Sequence, residues 1–369
     1  MKLLPTLGTA LFEAGRFSEA DGVLSEAIDR AGGDALLEAR ARLEQQFVRL
    51  QAEGAIDESE RVAEDALRVF EAHGDVRGQS RTWCLRATVD WIQGQAKRAD
   101  EGWQRAADLA RLAEDELELF EILAWRASAA PIGPTPVPEA IETCAEIRNE
   151  VEGSPLATAQ MLPPFATLYA MQGEFETARS LVREANTLLG ELGRIYTVAL
   201  AHHDATVELL AGQARAAEER LRTAYERLDE LGEKAFAATT AAMLAQAVYA
   251  QGRYEEAEHF CRTSREAAAP DDLSAQVEWR GVSAKLLAQR GQHAEAETLG
   301  REAVELVAQT DFLGHHGDAL LDLGEVLALG REPQKAAAAV RAGLALYQEK
   351  GDTVMAGRAR SRLDATSSA

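Results

Sequence analysis

The sequence predicts an all-α fold, a right-handed solenoid of about nine helical hairpins. Three observations predict it. A turn signature recurs with a period of 39–41 residues, apolar residues on both sides of each turn follow helical spacing, and the composition is 46 % hydrophobic with only 6 % aromatic, rich in the helix formers Ala, Leu and Glu.

The signature is Gly-x-(apolar or small)-x-x-Ala. It reads Gly15-Arg-Phe17-Ser-Glu-Ala20, Gly94-Gln-Ala96-Lys-Arg-Ala99, Gly173-Glu-Phe175-Glu-Thr-Ala178, Gly212-Gln-Ala214-Arg-Ala-Ala217, Gly252-Arg-Tyr254-Glu-Glu-Ala257 and Gly291-Gln-His293-Ala-Glu-Ala296. A weaker copy runs from Gly54 to Ser59, a degraded one lies around Thr135–Ala140, and a shortened one spans Gly330 to Ala336. The glycine ends one helix, because a left-handed residue is cheap without a Cβ. The alanine marks close approach of two helices. Before Gly15, Leu4, Leu7 and Leu11 share a helical face; after it, Ala20, Leu24 and Ala27 do. One hairpin cannot bury its apolar face alone, so neighbours stack.

The units fall near 1–34, 40–73, 80–113, 117–152, 157–192, 197–232, 236–269, 275–309 and 315–350, with a capping helix over 353–363. They read as one solenoid over 1–369. Two units break the pattern. Residues Ala130–Pro138 hold four prolines, which forces an irregular connection and starts the next helix near Pro138. Pro163-Pro164 should kink or delay the first helix of unit five. Unit six carries Asp204 and Glu208 at core places of its first helix. The polar tail Asp364–Ala369 should fray.

Charge and composition exclude several functions. There are 39 Lys+Arg against 61 Asp+Glu, a net charge of −22, and no basic cluster. This argues against nucleic acid and against an anionic membrane surface. Acidic runs such as Glu114–Glu118 read as solvated outer faces. Cys84, Cys144 and Cys261 are scattered and odd in number, which suits small buried thiols in a reducing cytoplasm. The opening MKLLPTLGTALFEAG is interrupted by Pro5, Thr6 and Gly8, and it fits the repeat better than a signal peptide. A cytoplasmic protein is expected. No phosphate loop or marked nucleophile is present, so no catalytic residue and no cofactor is predicted. His202-His203-Asp204 and His315-His316 do not predict a metal site, since adjacent helical residues point about 100° apart.

The pattern resembles the tetratricopeptide repeat. Unit one reads Leu4, Leu7, Gly8, Leu11, Gly15, Ala20, Leu24, Ala27; unit five reads Leu162, Phe165, Ala166, Tyr169, Gly173, Ala178, Val182, Ala185. Unit nine reads Leu320, Leu323, Gly324, Leu327, Ala336, Val340, and unit three opens with Trp83. The period departs from the family's usual length of about 34 residues. Stretches such as RATVDWIQGQ, LYAMQGEFETAR, ATTAAMLAQAVYAQGRYEEAE and DFLGHHGDALLDLGEVL further resemble the carboxy-terminal repeat region of bacterial class III adenylate/guanylate cyclases that carry a STAND-type ATPase.

That resemblance implies a non-enzymatic scaffold that binds a protein or peptide in a concave groove lined by first helices. It implies the sensor or regulatory arm of a signalling system, with a cyclase or ATPase as effector. An alternative is a repeat domain that senses a small-molecule inducer. The register places groove candidates at Arg81, Thr88 and Trp91 in unit three, Trp125 in unit four, and His202 and Thr206 in unit six. Thr239, Gln246 and Tyr249 follow in unit seven, Glu278 and Lys285 in unit eight, and Asp318 and Glu325 in unit nine. Four of five tryptophans, Trp83, Trp91, Trp103 and Trp125, fall close together and suggest an aromatic pocket in units three and four; the fifth is Trp279.

Overall fold

A computed structural model describes residues 4–13, 15–53, 55–192, 197–231, 235–270 and 272–367. These form nineteen α-helices, with no strand among the described residues. In order they are α1 (Leu4–Glu13), α2 (Phe17–Asp29), α3 (Ala35–Glu53), α4 (Ile56–His73), α5 (Val76–Ile92), α6 (Ala96–Leu112) and α7 (Glu116–Ala129). There follow α8 (Val137–Glu150), α9 (Pro155–Met171), α10 (Phe175–Leu192), α11 (Thr197–Leu210), α12 (Ala214–Leu231) and α13 (Ala235–Tyr249). The last are α14 (Tyr254–Ala267), α15 (Leu273–Gln289), α16 (His293–Val307), α17 (Leu313–Leu329), α18 (Pro333–Lys350) and α19 (Thr353–Ser367). Within α1 to α6 and α9 to α18, odd-numbered helices open a hairpin and even-numbered helices close it. The solenoid of helical hairpins expected from the repeat is the observed fold.

The turn chemistry explains the hairpins. Gly15, Gly94, Gly173, Gly212, Gly252 and Gly291 all have φ between +72° and +82°, the left-handed region where a Cβ is strained. The signature alanines follow the same logic. Ala20, Ala99, Ala178, Ala217, Ala257 and Ala296 are all fully buried, at the contact between the helices of a hairpin. In the last hairpin the shortened turn moves the left-handed residue from Gly330 to Arg331, whose φ is +61°. Gly54 lies outside the described residues. Leu7 is an exposed large apolar residue although it is on the predicted face.

The prolines behave differently from expectation. Pro163 and Pro164 neither end nor delay α9, which runs on from Pro155 with both rings buried. Thr167 donates its hydroxyl to the Pro163 carbonyl in the following turn. The helix tolerates the missing donors because the whole segment is packed among apolar neighbours. Residues 130–136 do form an irregular connection, and α8 begins at Val137 with Pro138 in its first turn, where a missing N–H costs little. Helix α19 continues past the expected end of the capping helix to Ser367, and the last two residues of the tail lie outside the described residues.

The chain divides into two compact units, Met1–Arg126 and Ala127–Ala369. Within each unit, first helices of neighbouring hairpins touch one another: α1 with α3 and α3 with α5 in unit 1, and α9, α11, α13, α15 and α17 in series in unit 2. Second helices contact mainly the helices before and after them. First helices therefore form one layer of each unit, the layer that the repeat register expects to be concave.

Unit 2 is fastened to itself by its last segment. Lys350 is fully buried, and its ammonium donates to the carbonyls of Ala130, Gly133 and Thr135 at 2.6–2.7 Å. Gln172 donates to the Gly351 carbonyl at 2.6 Å, and Thr353 to the Met171 carbonyl at 3.2 Å. Arg358 donates to the carbonyls of Leu209 and Leu210 at the end of α11, both at 2.8 Å. The Met171, Leu209 and Leu210 carbonyls are helix-end acceptors that no intrahelical N–H can satisfy, and those of Ala130, Gly133 and Thr135 lie in the irregular connection. The proline-rich connection thus serves as the carbonyl cage for a lysine more than two hundred residues away in the chain.

Candidate functional site

The concave layer carries a chain of hydrogen bonds that steps from one first helix to the next. In unit 1, Thr9 on α1 donates to Glu44 on α3 at 3.1 Å. Arg81 on α5 donates to both oxygens of Glu44, at 3.0 and 3.2 Å, and to Glu118 on α7 at 3.5 Å. Each step spans 35 or 37 residues, about one repeat. One position per repeat therefore supplies each rung.

Unit 2 repeats the device. Thr167 and His203 share a hydrogen bond at 2.9 Å, His202 and Thr240 one at 2.7 Å, and Ser274 and His315 one at 3.4 Å. Thr239 donates to Asp272 at 3.4 Å and Lys285 to Asp322 at 2.7 Å. Tyr249 on α13 reaches past α15 to donate to Glu325 on α17 at 2.6 Å. The Lys285 ammonium also lies 4.8 Å from the centre of the Tyr249 ring.

Burial decides the protonation of these groups. It lowers His202, His203 and His315 to about 4, so all three are neutral imidazoles at pH 7. It raises Glu118 to about 7, partly offset by Arg81, and Glu278 to about 8, reinforced by Asp318, Asp272 and Asp322. Among the described residues no group of three metal-ligating side chains converges. His202, His203 and His315 are rungs, each bonded to a hydroxyl.

The register's candidates separate as follows. Arg81 is the hub of the unit 1 chain. Thr88 spends its hydroxyl on the Cys84 carbonyl at 2.9 Å. Trp91 packs against Trp103 at 6.0 Å, and Trp103 stacks on Trp125 at 6.2 Å with planes 16° apart. The aromatic cluster of units three and four is thus a three-ring ladder; Trp83 stands apart from it, under Arg86. Trp125 is 47 % exposed. In unit 2, His202, Thr239, Tyr249, Lys285 and Glu325 are members of the chain just described. Asp318 accepts from the Tyr347 hydroxyl at 2.5 Å. Thr206 bonds back to the His202 carbonyl. Gln246 is half-buried on α13. Glu278 has one carboxylate oxygen, Oε2, buried without a hydrogen-bond partner among the described residues.

Glu44 and Glu118 were not singled out by sequence. The run Glu114–Glu118 reads as a solvated face, yet Glu118 turns inward to Arg81. The missing signal was the 37-residue offset from Arg81, which makes the two equivalent in successive repeats. Asp204 and Glu208, anomalous as core residues, are explained by pairing. Asp204 meets Arg220 at 2.8 Å and Glu208 meets Arg179 at 2.8 Å, in a cleft of about 530 Å³ between α10, α11 and α12.

A sequence model of the tetratricopeptide repeat matches residues 237–267, which is most of α13 and α14. No curated protein matches the chain in sequence. The solved structures that share the fold include two complexes. A Rap protein complexed with Competence and Sporulation Factor superposes with a TM-score of 0.54 at 13 % identity, covering 99 % of this chain and 97 % of that one. NprR in complex with its cognate peptide NprX superposes with a TM-score of 0.52 at 12 % identity, covering 76 % and 87 %. At these identities the likeness establishes a tetratricopeptide-like helical solenoid. No helix among the described residues is long and apolar enough to cross a membrane.

Proposed function

We propose that this chain is a non-enzymatic recognition scaffold whose concave faces bind a peptide or a protein segment. The observation that carries the proposal is the inner-layer chain of polar groups, one rung per repeat, beside a half-exposed tryptophan. Such a surface offers donors, acceptors and an aromatic anchor at a fixed pitch, which suits an extended polypeptide. Two solenoids of similar fold were solved in complex with Competence and Sporulation Factor and with a cognate peptide, and this supports the reading.

In the wider reading, occupancy of a concave face biases an attached or associated effector between two states. The resemblance to cyclase-linked repeats suggests an adenylate/guanylate cyclase or an ATPase as that effector. The test is an array of random heptapeptides probed with the full chain, followed by titration of the captured sequences. Saturable capture that weakens on changing Arg81 or Tyr249 supports the proposal. An array that captures nothing above background overturns it.

A further inference from the structure

Unit 1 carries a concave surface whose charge is unbalanced. Glu44, Glu118 and Glu121 all lie within 4 Å of Arg81, and among the described residues no other cation pairs with them. The Arg81 guanidinium is already committed. It donates to both Glu44 oxygens and one Glu118 oxygen, and it stacks 4.1 Å from the centre of the Phe47 ring. The other oxygen of Glu118, Oε1, is buried and accepts no hydrogen bond. A buried carboxylate oxygen without a donor is an expensive vacancy, and it calls for a cationic donor from outside the chain.

A second feature stands on the same face at a defined distance. Trp125 lies seven residues beyond Glu118 on α7, two helical turns on and therefore on the same side. At 1.5 Å per residue the two are about 10 Å apart along the helix. One face of Trp125 rests on Trp103, and the residue is 47 % exposed, with no hydrogen bond among the described residues. Trp125 is also the counterpart, 37 residues on, of Thr88, just as Glu118 is of Arg81. The concave face of unit 1 therefore presents an anionic row and, two turns along, an aromatic platform.

We propose that this face recognises an extended peptide segment bearing an arginine or lysine and, three positions from it, an aromatic or large aliphatic residue. The spacing follows from geometry, since an extended chain of polyproline II form makes one turn every three residues and so returns a side chain to the same face about 9 Å further on. The cation enters between Glu118 and Glu121 and donates to the vacant Oε1. The apolar side chain covers the open face of Trp125. The inference rests on the peptide-recognition reading above and assigns that reading a partner chemistry and a place.

The experiment uses the full chain and the probe acetyl-Ala-Arg-Ala-Ala-Phe-Ala-amide, with tryptophan fluorescence and calorimetry as readouts. Saturable binding is expected. The probe with Glu in place of Arg, and the isomer with Arg and Phe adjacent, should each bind at least about tenfold more weakly. Glu118→Gln and Trp125→Ser should weaken the parent probe by about the same factor. Glu121→Lys changes a half-exposed side chain, so it should keep the fold and still weaken binding. The proposal is overturned if the Glu probe or the adjacent isomer binds as well as the parent, or if all three variants bind like wild type. Random heptapeptides captured with no enrichment for this spacing would sink the site while leaving peptide recognition standing. An array that captures nothing removes both.

Discussion

The Tyr249 hydroxyl donates to Glu325 at 2.6 Å and so ties α13 to α17 across the intervening first helix α15. Gln289 on α15 donates weakly to the same oxygen at 3.4 Å, so three first helices meet at one phenol. Burial and the neighbouring carboxylate hold the phenol well above its ordinary pKa, and it remains a donor at every pH the protein meets. Tyr249→Phe removes a hydrogen bond to a charged acceptor without changing shape. Glu325 keeps a contact to Arg362 at 3.3 Å, so it is not left bare. The expected loss is about 1–2 kcal/mol of stability, read from urea unfolding followed by far-UV circular dichroism. A variant as stable as wild type would mean that the bond is idle.

Lys350 makes a harsher prediction. Its ammonium fills three backbone carbonyls of the proline-rich connection, and no other group is placed to replace it. Lys350→Met keeps most of the volume but orphans the three acceptors. The expected loss is about 3 kcal/mol. Hydrogen exchange should also quicken in α19, because the same segment carries Thr353, Arg358 and Arg362 into their carbonyl contacts. Unchanged exchange in α19 would show that the cage and the helix are independent.

The hairpins were legible in the sequence because their determinants are local. Each turn glycine and each buried alanine sits within six residues of its partner, and the φ values and burial agree with the signature. What could not be read was pairing at long range. Nothing near Lys350 marks Ala130, Gly133 and Thr135 as its acceptors, and an amphiphilic run such as Glu114–Glu118 does not reveal which glutamate turns inward. Pro163-Pro164 misled for a related reason. The local cost of proline in a helix is real, but the burial of α9 outweighs it. Glu44, Arg81 and Glu118 could have been found together by aligning the repeats and asking which polar residues recur at one concave position.

Glu278 supplies a dependence on pH. Burial and the surrounding Asp272, Asp318 and Asp322 raise its carboxyl to about 8, from about 4.5 when unfolded. A carboxyl whose folded pKa is raised binds its proton more tightly in the native state. Its contribution is full below pH 4.5 and is lost as pH rises through 8. The protein should therefore lose stability between pH 5 and about pH 8.5, by roughly 2 kcal/mol from this group after allowance for its partial exposure. Glu278→Gln cannot ionise. It should match wild type within about 1 kcal/mol at pH 5 and exceed it at pH 8.5. Parallel curves for the two proteins would count against the assignment.

Arg81 brings the same reasoning to unit 1 with the opposite partner. It is the cation that Glu44, Glu118 and Glu121 share, and it is only 13 % exposed. Arg81→Met leaves a methionine able to pack on Phe47 but strands Glu44 and Glu118 beside one another. Breaking one side of a buried ion pair costs about 3 kcal/mol at a pH where both carboxylates are charged. At lower pH Glu118 takes up a proton, and the penalty falls with its charge. Glu118 is already raised to about 7 by burial in the wild type, with Arg81 holding it down and Glu121, Glu44 and Asp115 pushing it up. Losing Arg81 removes the one opposing influence, so its pKa rises further. The difference between variant and wild type should therefore be near 3 kcal/mol at pH 8 and less than half of that at pH 5, measured by urea unfolding at both values. A penalty that does not change with pH would show that Arg81 acts through its packing on Phe47 and not through its charge.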